Sequence, residues 1–465
     1  MKEHSWPERA MNALPFPRHW QVLGPYGPTF ALPESSPEVL CAAALTHPVG
    51  AAPLAARDLR GQRILLIVDD HSRPTPIRQF FPAVRTALLQ AGADDHHIEI
   101  LFALGTHRPM TPEEACAKIG PDNAARHRWH NHDARDPERL VRVGTTTRGT
   151  PVIFNRLLRE FDLLVPLGLI EPHVLAGYSG GCKMLLPGCA GTLTIGRNHL
   201  LGSEAARWNY VGAPPAETPM RLDLEEGAAL LGKEIFLVNA VQRATGEIVN
   251  FFCGDPRDAF RAGVAYVRRH TEAVLPEQAD VVITGSSPFD ADLRQGVKCL
   301  GNTLHEAKPG GLVLGLLGCR NGLGDLPLPR RTLPYTVLRF LLRLLGCRAV
   351  EQLRNLAEGE VAVEERFLTR FGLRMLRRNH LWFASDSLPP DIGRRLGVLR
   401  QFASADEMVA AAVRKVGPKA TVALFPQGGA TYVPDEALSL WCGLEGRAPR
   451  GEPLRVGWAT PTTGS

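Results

Sequence analysis

Four short runs in the first half of the chain are apolar at most positions rather than at every second position. They are Arg63–Val68 (RILLIV), Ile98–Ala103 (IEILFA), Asp162–Leu167 (DLLVPL) and Ile235–Val241 (IFLVNAV). A strand that alternates apolar and polar residues covers a core on one side; a strand apolar on both faces must be buried on both, as in a parallel sheet with helices above and below. Stretches with helical periodicity, Ile77–Ala91 and Leu222–Leu231, lie between such runs or just before one. Alternation of this kind predicts an α/β fold with a largely parallel sheet.

A second series begins near Ala279. ADVVITGSSP reads as a strand and loop, Leu293–Ala307 as a helix, 310–319 (GGLVLGLLGC) as a strand and 421–429 (TVALFPQGG) as a late strand. The chain therefore reads as two α/β domains, 1–270 and 271–465, with mostly parallel sheets and the active site in the cleft between them. The first carries the chemistry, the second closes over it, and Arg447–Ser465 forms a polar tail. At 465 residues the chain is long enough to bury its cores without disulfides. Its nine cysteines include no CxxC pair, which excludes a disulfide framework and a cysteine-rich zinc site. With 53 basic and 48 acidic residues, the net charge of +5 is mild and the basic residues are not interleaved with aromatics, so nucleic acid is not the expected partner. No signal sequence opens the chain and no run approaches the ~18 apolar residues of a membrane helix, so a cytoplasmic, soluble protein is expected.

The polar signatures all follow predicted strands, where open α/β sheets place their ligands. In 69–76 (DDHSRPTP), Asp70 and Arg73 are the candidate actors and Thr75 is either a helix cap or a phosphate contact. In 104–114 (LGTHRPMTPEE), Thr111, Pro112 and Glu114 read as a helix start, which leaves His107 as a candidate acid/base or a structural histidine. In 170–191, His173 is followed by Gly177, Ser179, Gly180 and Gly181, a turn able to cradle a phosphate, and by Lys183, an amine able to bind a phosphate or form a covalent bond. In 194–202 (TIGRNHLLG), His199 is a possible metal ligand. The cluster 127–133 (HRWHNHD) reads as an exposed polar loop rather than a metal site.

In this order, and with 290–298 (DADLRQGVK), these pieces resemble the lactate racemase family over roughly residues 60–320. The resemblance implies two α/β domains and a nickel cofactor, pyridinium-3,5-bisthiocarboxylic acid mononucleotide, covalently attached through Lys183. It implies that His199 completes the nickel coordination and that His107 and His173 are the paired acid/base groups. It implies substrate contacts from Arg73, Gln295 and Lys298, and cofactor contacts from Asp70, Thr75, Gly177, Ser179, Gly180 and Gly181.

The chemistry implied is racemisation or epimerisation of a 2-hydroxy acid by reversible hydride transfer from its α carbon to the pincer pyridinium. The α proton itself is too weakly acidic for a side chain to remove, and inversion needs two bases. Cofactor-synthesis proteins are the expected partners for loading, and an oligomer is compatible. Arg294 stands where tyrosine is common and Gly296 where serine is common, which suggests a larger or doubly anionic substrate read by Arg294. Two other readings remain open on the residues alone: a zinc-dependent hydrolase or lyase using the same histidines, and a non-catalytic binding protein of the same fold.

Overall fold

The computed structural model describes residues 6–204, 207–326 and 328–433; Cys442 and the tail expected at Arg447–Ser465 lie outside them. Two mainly parallel sheets organise the chain. The first has the order 248–254, 237–242, 163–169, 64–69, 98–103, 129–131, with the short strand 234–235 also pairing with 163–169. Within it only 248–254 runs antiparallel, beside 237–242.

Ile64–Asp69 and Leu163–Leu169 are buried at every residue, as their uniform apolarity requires. Ile64, Leu66 and Val68 face one core with Phe80, Phe81 and Val84. Leu65 and Ile67 face the other, with Leu185, Ile195 and Leu224. The two-residue repeat of a strand thus serves two cores at once. The helix expected from Ile77 starts instead at Phe81 and runs to Gln90, preceded by a 3₁₀ turn at Ile77–Gln79. Pro82 is the cause, since proline has no N–H and is tolerated only in the first turn.

The second sheet has the order 21–23, 421–425, 279–285, 307–316, 380–384, 400–402, all parallel. The segment expected as one helix from Leu293 to Ala307 is two short helices, Leu293–Gly296 and Lys298–Asn302, and Ala307 already belongs to a strand.

One boundary needs correction. Residues 1–270 were expected to form the first domain, but Gln21–Leu23 pairs with Thr421–Ala423 at the edge of the second sheet. Met11, Leu14 and Trp20 are buried with Val281, Leu312 and Val422 of that sheet. Burial of these apolar side chains fixes the ownership of the segment. The chain therefore starts on the second unit, crosses to build the first, and returns.

Candidate active site

In the first sheet, strands after 64–69 add on one side and those after 163–169 on the other. The crevice at such a reversal, beyond the carboxyl ends of the strands, is where open sheets bind ligands. A cavity of about 290 Å³ lies there. Asp70, Arg73, His107, Glu171, His173 and Lys183 line it from the first unit, with His199 from the helix Thr192–Glu204. Arg294, Gln295 and Lys298 line it from the second. Residues from four loops far apart in sequence thus line one cavity.

His107 is held by Asp70, whose Oδ2 lies 2.5 Å from Nδ1. Asp70 is fixed in turn by the backbone N–H and hydroxyl of Ser72, at 2.9 and 2.6 Å. Burial alone would raise the Asp70 carboxyl, but the His107 ring, these hydrogen bonds and Arg73 outweigh it and hold it well below the usual range. With Nδ1 on a carboxylate, Nε2 is the nitrogen His107 offers to the cavity, the arrangement in which a carboxylate stabilises an imidazolium. Asp70 was expected to hold a cofactor; the structure makes it the partner of His107.

His173 is set differently. Its Nδ1 accepts from the N–H groups of Leu175 and Ala176, each at 3.2 Å, so the neutral ring carries its proton on Nε2. That Nε2 lies 3.2 Å from Lys183 Nζ. A donor facing an amine needs the amine's lone pair, so Lys183 is uncharged in this contact. Its surroundings agree. Burial first, then Arg73, Arg221 and Lys298, hold Lys183 well below the ordinary lysine value. Burial, with Lys183, Lys298 and Arg73, likewise lowers His173. An uncharged lysine amine is the nucleophilic form. His199 places Nδ1 2.8 Å from the carbonyl of Ile195 one turn earlier, which fixes its tautomer and leaves Nε2 as a ligand nitrogen. Burial, with Lys183 and Arg294, lowers it to about 3, so the ring is neutral.

The glycine turn does not fit the expected phosphate cradle. The N–H of Gly181 donates to Asn239 Oδ1 at 2.7 Å, and the carbonyl of Gly180 accepts from Arg221 at 3.0 Å. Both glycines have positive φ, and a Cβ at Gly180 would lie 2.7 Å from Asn239 Oδ1. Here the glycines let the turn pack against Asn239 and the buried Arg221. Ser179 hydrogen-bonds Leu169 and Glu171, and Thr75 donates to Asp69. Ser179 and Gly180 still border the cavity, whereas Thr75, Gly177 and Gly181 lie outside its lining.

Arg73, Glu171, Gln295 and Lys298 form a network at one end of the cavity. Arg73 Nη1 lies 3.4 Å from Glu171 and 3.5 Å from Gln295 Oε1, and Lys298 donates to that same oxygen. Glu171 was not singled out in the sequence, although it stands two residues before His173. It pairs with Arg73, and burial pushes its carboxyl above the ordinary value, while burial and then Arg73 hold the Lys298 amine well below the ordinary lysine value. Arg294 is not a free charge, because it pairs with Glu365 at 3.2 Å and donates to the carbonyl of Asp325 at 2.8 Å. The expectation of a doubly anionic substrate read by Arg294 loses its basis.

The cluster 127–133 is not an exposed loop but contains an edge strand, Trp129–Asn131. His127 is buried against Phe81, His130 contacts Glu99 at 2.6 Å, and His132 is buried between Ala190 and Asn155. Among the described residues no three His, Cys, Asp or Glu side chains converge to hold a metal ion. A metal held at His199 Nε2 would take its other donors from outside these side chains. This fits a group that brings its own ligands, and it gives the zinc reading no protein ligand set.

Residues 11–209 match the family described as the lactate racemase N-terminal domain. The lactate racemase of Lactiplantibacillus plantarum is 29% identical over 402 residues, covering 83% of this chain and 88% of the relative. The lactate racemase of Thermoanaerobacterium thermosaccharolyticum is 34% identical over 294 residues, covering 62% of this chain and 67% of the relative. The solved structure of the lactate racemase apoprotein from T. thermosaccharolyticum superposes with a TM-score of 0.74 at 24% identity, covering 89% of this chain and 96% of that one. A protein from Thermotoga maritima superposes with a TM-score of 0.63 at 17% identity, covering 87% and 99%, and at these identities the two likenesses are ones of fold. With two parallel sheets shared across nearly the whole chain and sequence identity sustained over most of it, the protein belongs to the lactate racemase family.

Proposed function

We propose that this chain is a racemase or epimerase of a 2-hydroxy acid that works with the nickel-pincer cofactor of its family. The observation that carries the reading is the convergence of His107, His173, Lys183 and His199 on one cavity beside the Arg73–Lys298 pair. When bound, the cofactor supplies a hydride acceptor; Lys183 would anchor it and His199 Nε2 would ligate its nickel. The uncharged amine of Lys183 suits the formation of an amide-type bond. Arg73 and Lys298, bridged by Gln295, hold the substrate carboxylate, and its arrival offsets the repulsion that burial leaves between them.

His107 takes the substrate hydroxyl proton at Nε2 while Asp70 stabilises the resulting imidazolium. His173 is the second acid/base group, and its neutral ring must first gain a proton before it can act as the acid of the return step.

The test is intact mass and nickel content after co-expression with cofactor synthesis, followed by chiral analysis of 2-hydroxy acids. The expected result is an adduct on Lys183 with about one nickel per chain, as one coordinating nitrogen implies. The Lys183→Ala variant should carry no adduct. No adduct, under conditions where a relative loads, would overturn the reading.

A further inference from the structure

The cavity has a second half that this chemistry does not use. The helix Arg366–Arg378 turns Phe367, Leu368, Phe371, Gly372 and Met375 to the cavity. Its arginines are tied elsewhere, Arg366 to Glu360 at 2.6 Å and Arg370 to Glu351 at 2.9 Å. Val297, Leu300, Leu381 and Leu399 complete this side. The apolar wall begins at the reaction centre, because the Phe367 ring lies 4.7 Å from the His199 ring. Phe371 closes the join between the two units, since a Cβ at Gly301 would lie 3.0 Å from both its ring and Val174. Among the described residues on this side, the cation Arg294 pairs with Glu365.

A cavity with cations at one end and aliphatic and aromatic walls at the other matches a carboxylate joined to an apolar group. The phosphate of a nucleotide finds no partner among these walls. Resting on the racemase reading, we propose that the substrate is a 2-hydroxy acid with a branched aliphatic or aromatic side chain, and that this side chain occupies the chamber under the helix Arg366–Arg378.

The test is calorimetric binding and kcat/KM of the nickel-loaded enzyme with 2-hydroxy-4-methylpentanoate and 3-phenyllactate, against lactate and malate. Each methylene entering an apolar pocket changes discrimination by about tenfold or more, so the larger acids should win by at least about tenfold. Gly372 offers a probe, because a Cβ there would meet nothing within 4 Å. Gly372→Phe should fill the chamber and cut the ratio of large-acid to lactate efficiency by about tenfold, with Gly372→Ala in between. Lactate or malate binding as tightly as the larger acids, as when the cofactor itself fills the chamber, would overturn the proposal while leaving the racemase reading intact. Preferential binding of the larger acids without inversion of any would uphold the chamber and overturn the racemase reading.

Discussion

Asp69 and Asp70 are neighbours with opposite work. Asp69, the last residue of its strand, holds the buried Lys118 at 2.5 Å, and Lys118 also donates to the carbonyl of Arg73 at 3.0 Å. Asp70, one residue on, faces the cavity and holds His107. Asp69→Asn strips a buried ammonium of its counter-charge and should lower unfolding free energy by about 3–5 kcal/mol, read in urea titrations. Asp70→Asn removes a buried carboxylate that its partners hold ionised, so it should also cost stability, but it should in addition lower kcat by about 10²–10⁴, by removing the group that orients His107 and stabilises its charged form. A large stability loss without a kcat effect would contradict this division. The sequence made Asp70 visible as a strand-end carboxylate but not its partner, because His107 arrives from the next loop. Gly180 and Gly181 misled for the complementary reason: a glycine pair permits a nest, but only the neighbouring Asn239 decides which way its N–H groups point.

At the scale of elements, strands buried on both faces were the most legible. Their uniform apolarity has one explanation, and Ile98–Ala103 falls where the pattern puts it. An edge strand needs only one apolar side and carries polar residues against further pairing. That is why Trp129–Asn131, set among histidines and arginines, read as a loop. The helix Arg366–Arg378 was missed although arginines at 366, 370, 374 and 377 outline one face and leave the other to Phe367, Phe371 and Met375.

The residue just after the edge strand carries a pH dependence. Burial lowers His132 from 6.5 to about 4, its ring lying between the carbonyl of Ala190 at 3.0 Å and the amide of Asn155 at 3.1 Å. The unfolded chain takes up this proton first. The contribution is therefore complete above pH 6.5, falls as pH drops toward about 4, and falls no further below. The loss amounts to about 3 kcal/mol, at 1.36 kcal/mol per pKa unit. His132→Gln should flatten the stability profile across that window, measured by urea midpoints at successive pH values. An unchanged slope would assign the proton uptake to other groups.

For the whole molecule, two parallel sheets were foreseeable from two series of apolar runs, but the ownership of the first residues was not. A three-residue strand, Gln21–Leu23, has no periodicity to read. Trp20 anchors it, buried in the second core with its indole N–H on the carbonyl of Gly417 at 3.1 Å. Trp20→Ala should cost about 3–5 kcal/mol. It should raise hydrogen exchange along Thr421–Phe425 while sparing Ile64–Asp69. Equal acceleration in both sheets would mean that the two units unfold as one.

The out-and-back course of the chain also sets an order in time. On the ribosome the first sheet has all its strands once residue 254 is made, with His107, His173, Lys183 and His199 already in place. The second sheet has by then only its opening strand, and that strand waits for its neighbour at 421–425. Synthesis of the intervening residues, about 170 of them, takes roughly ten to thirty seconds at ordinary elongation rates. During that interval the half of the cavity that carries the lysine stands open, until residues made later, from Arg294 to Leu399, complete its lining.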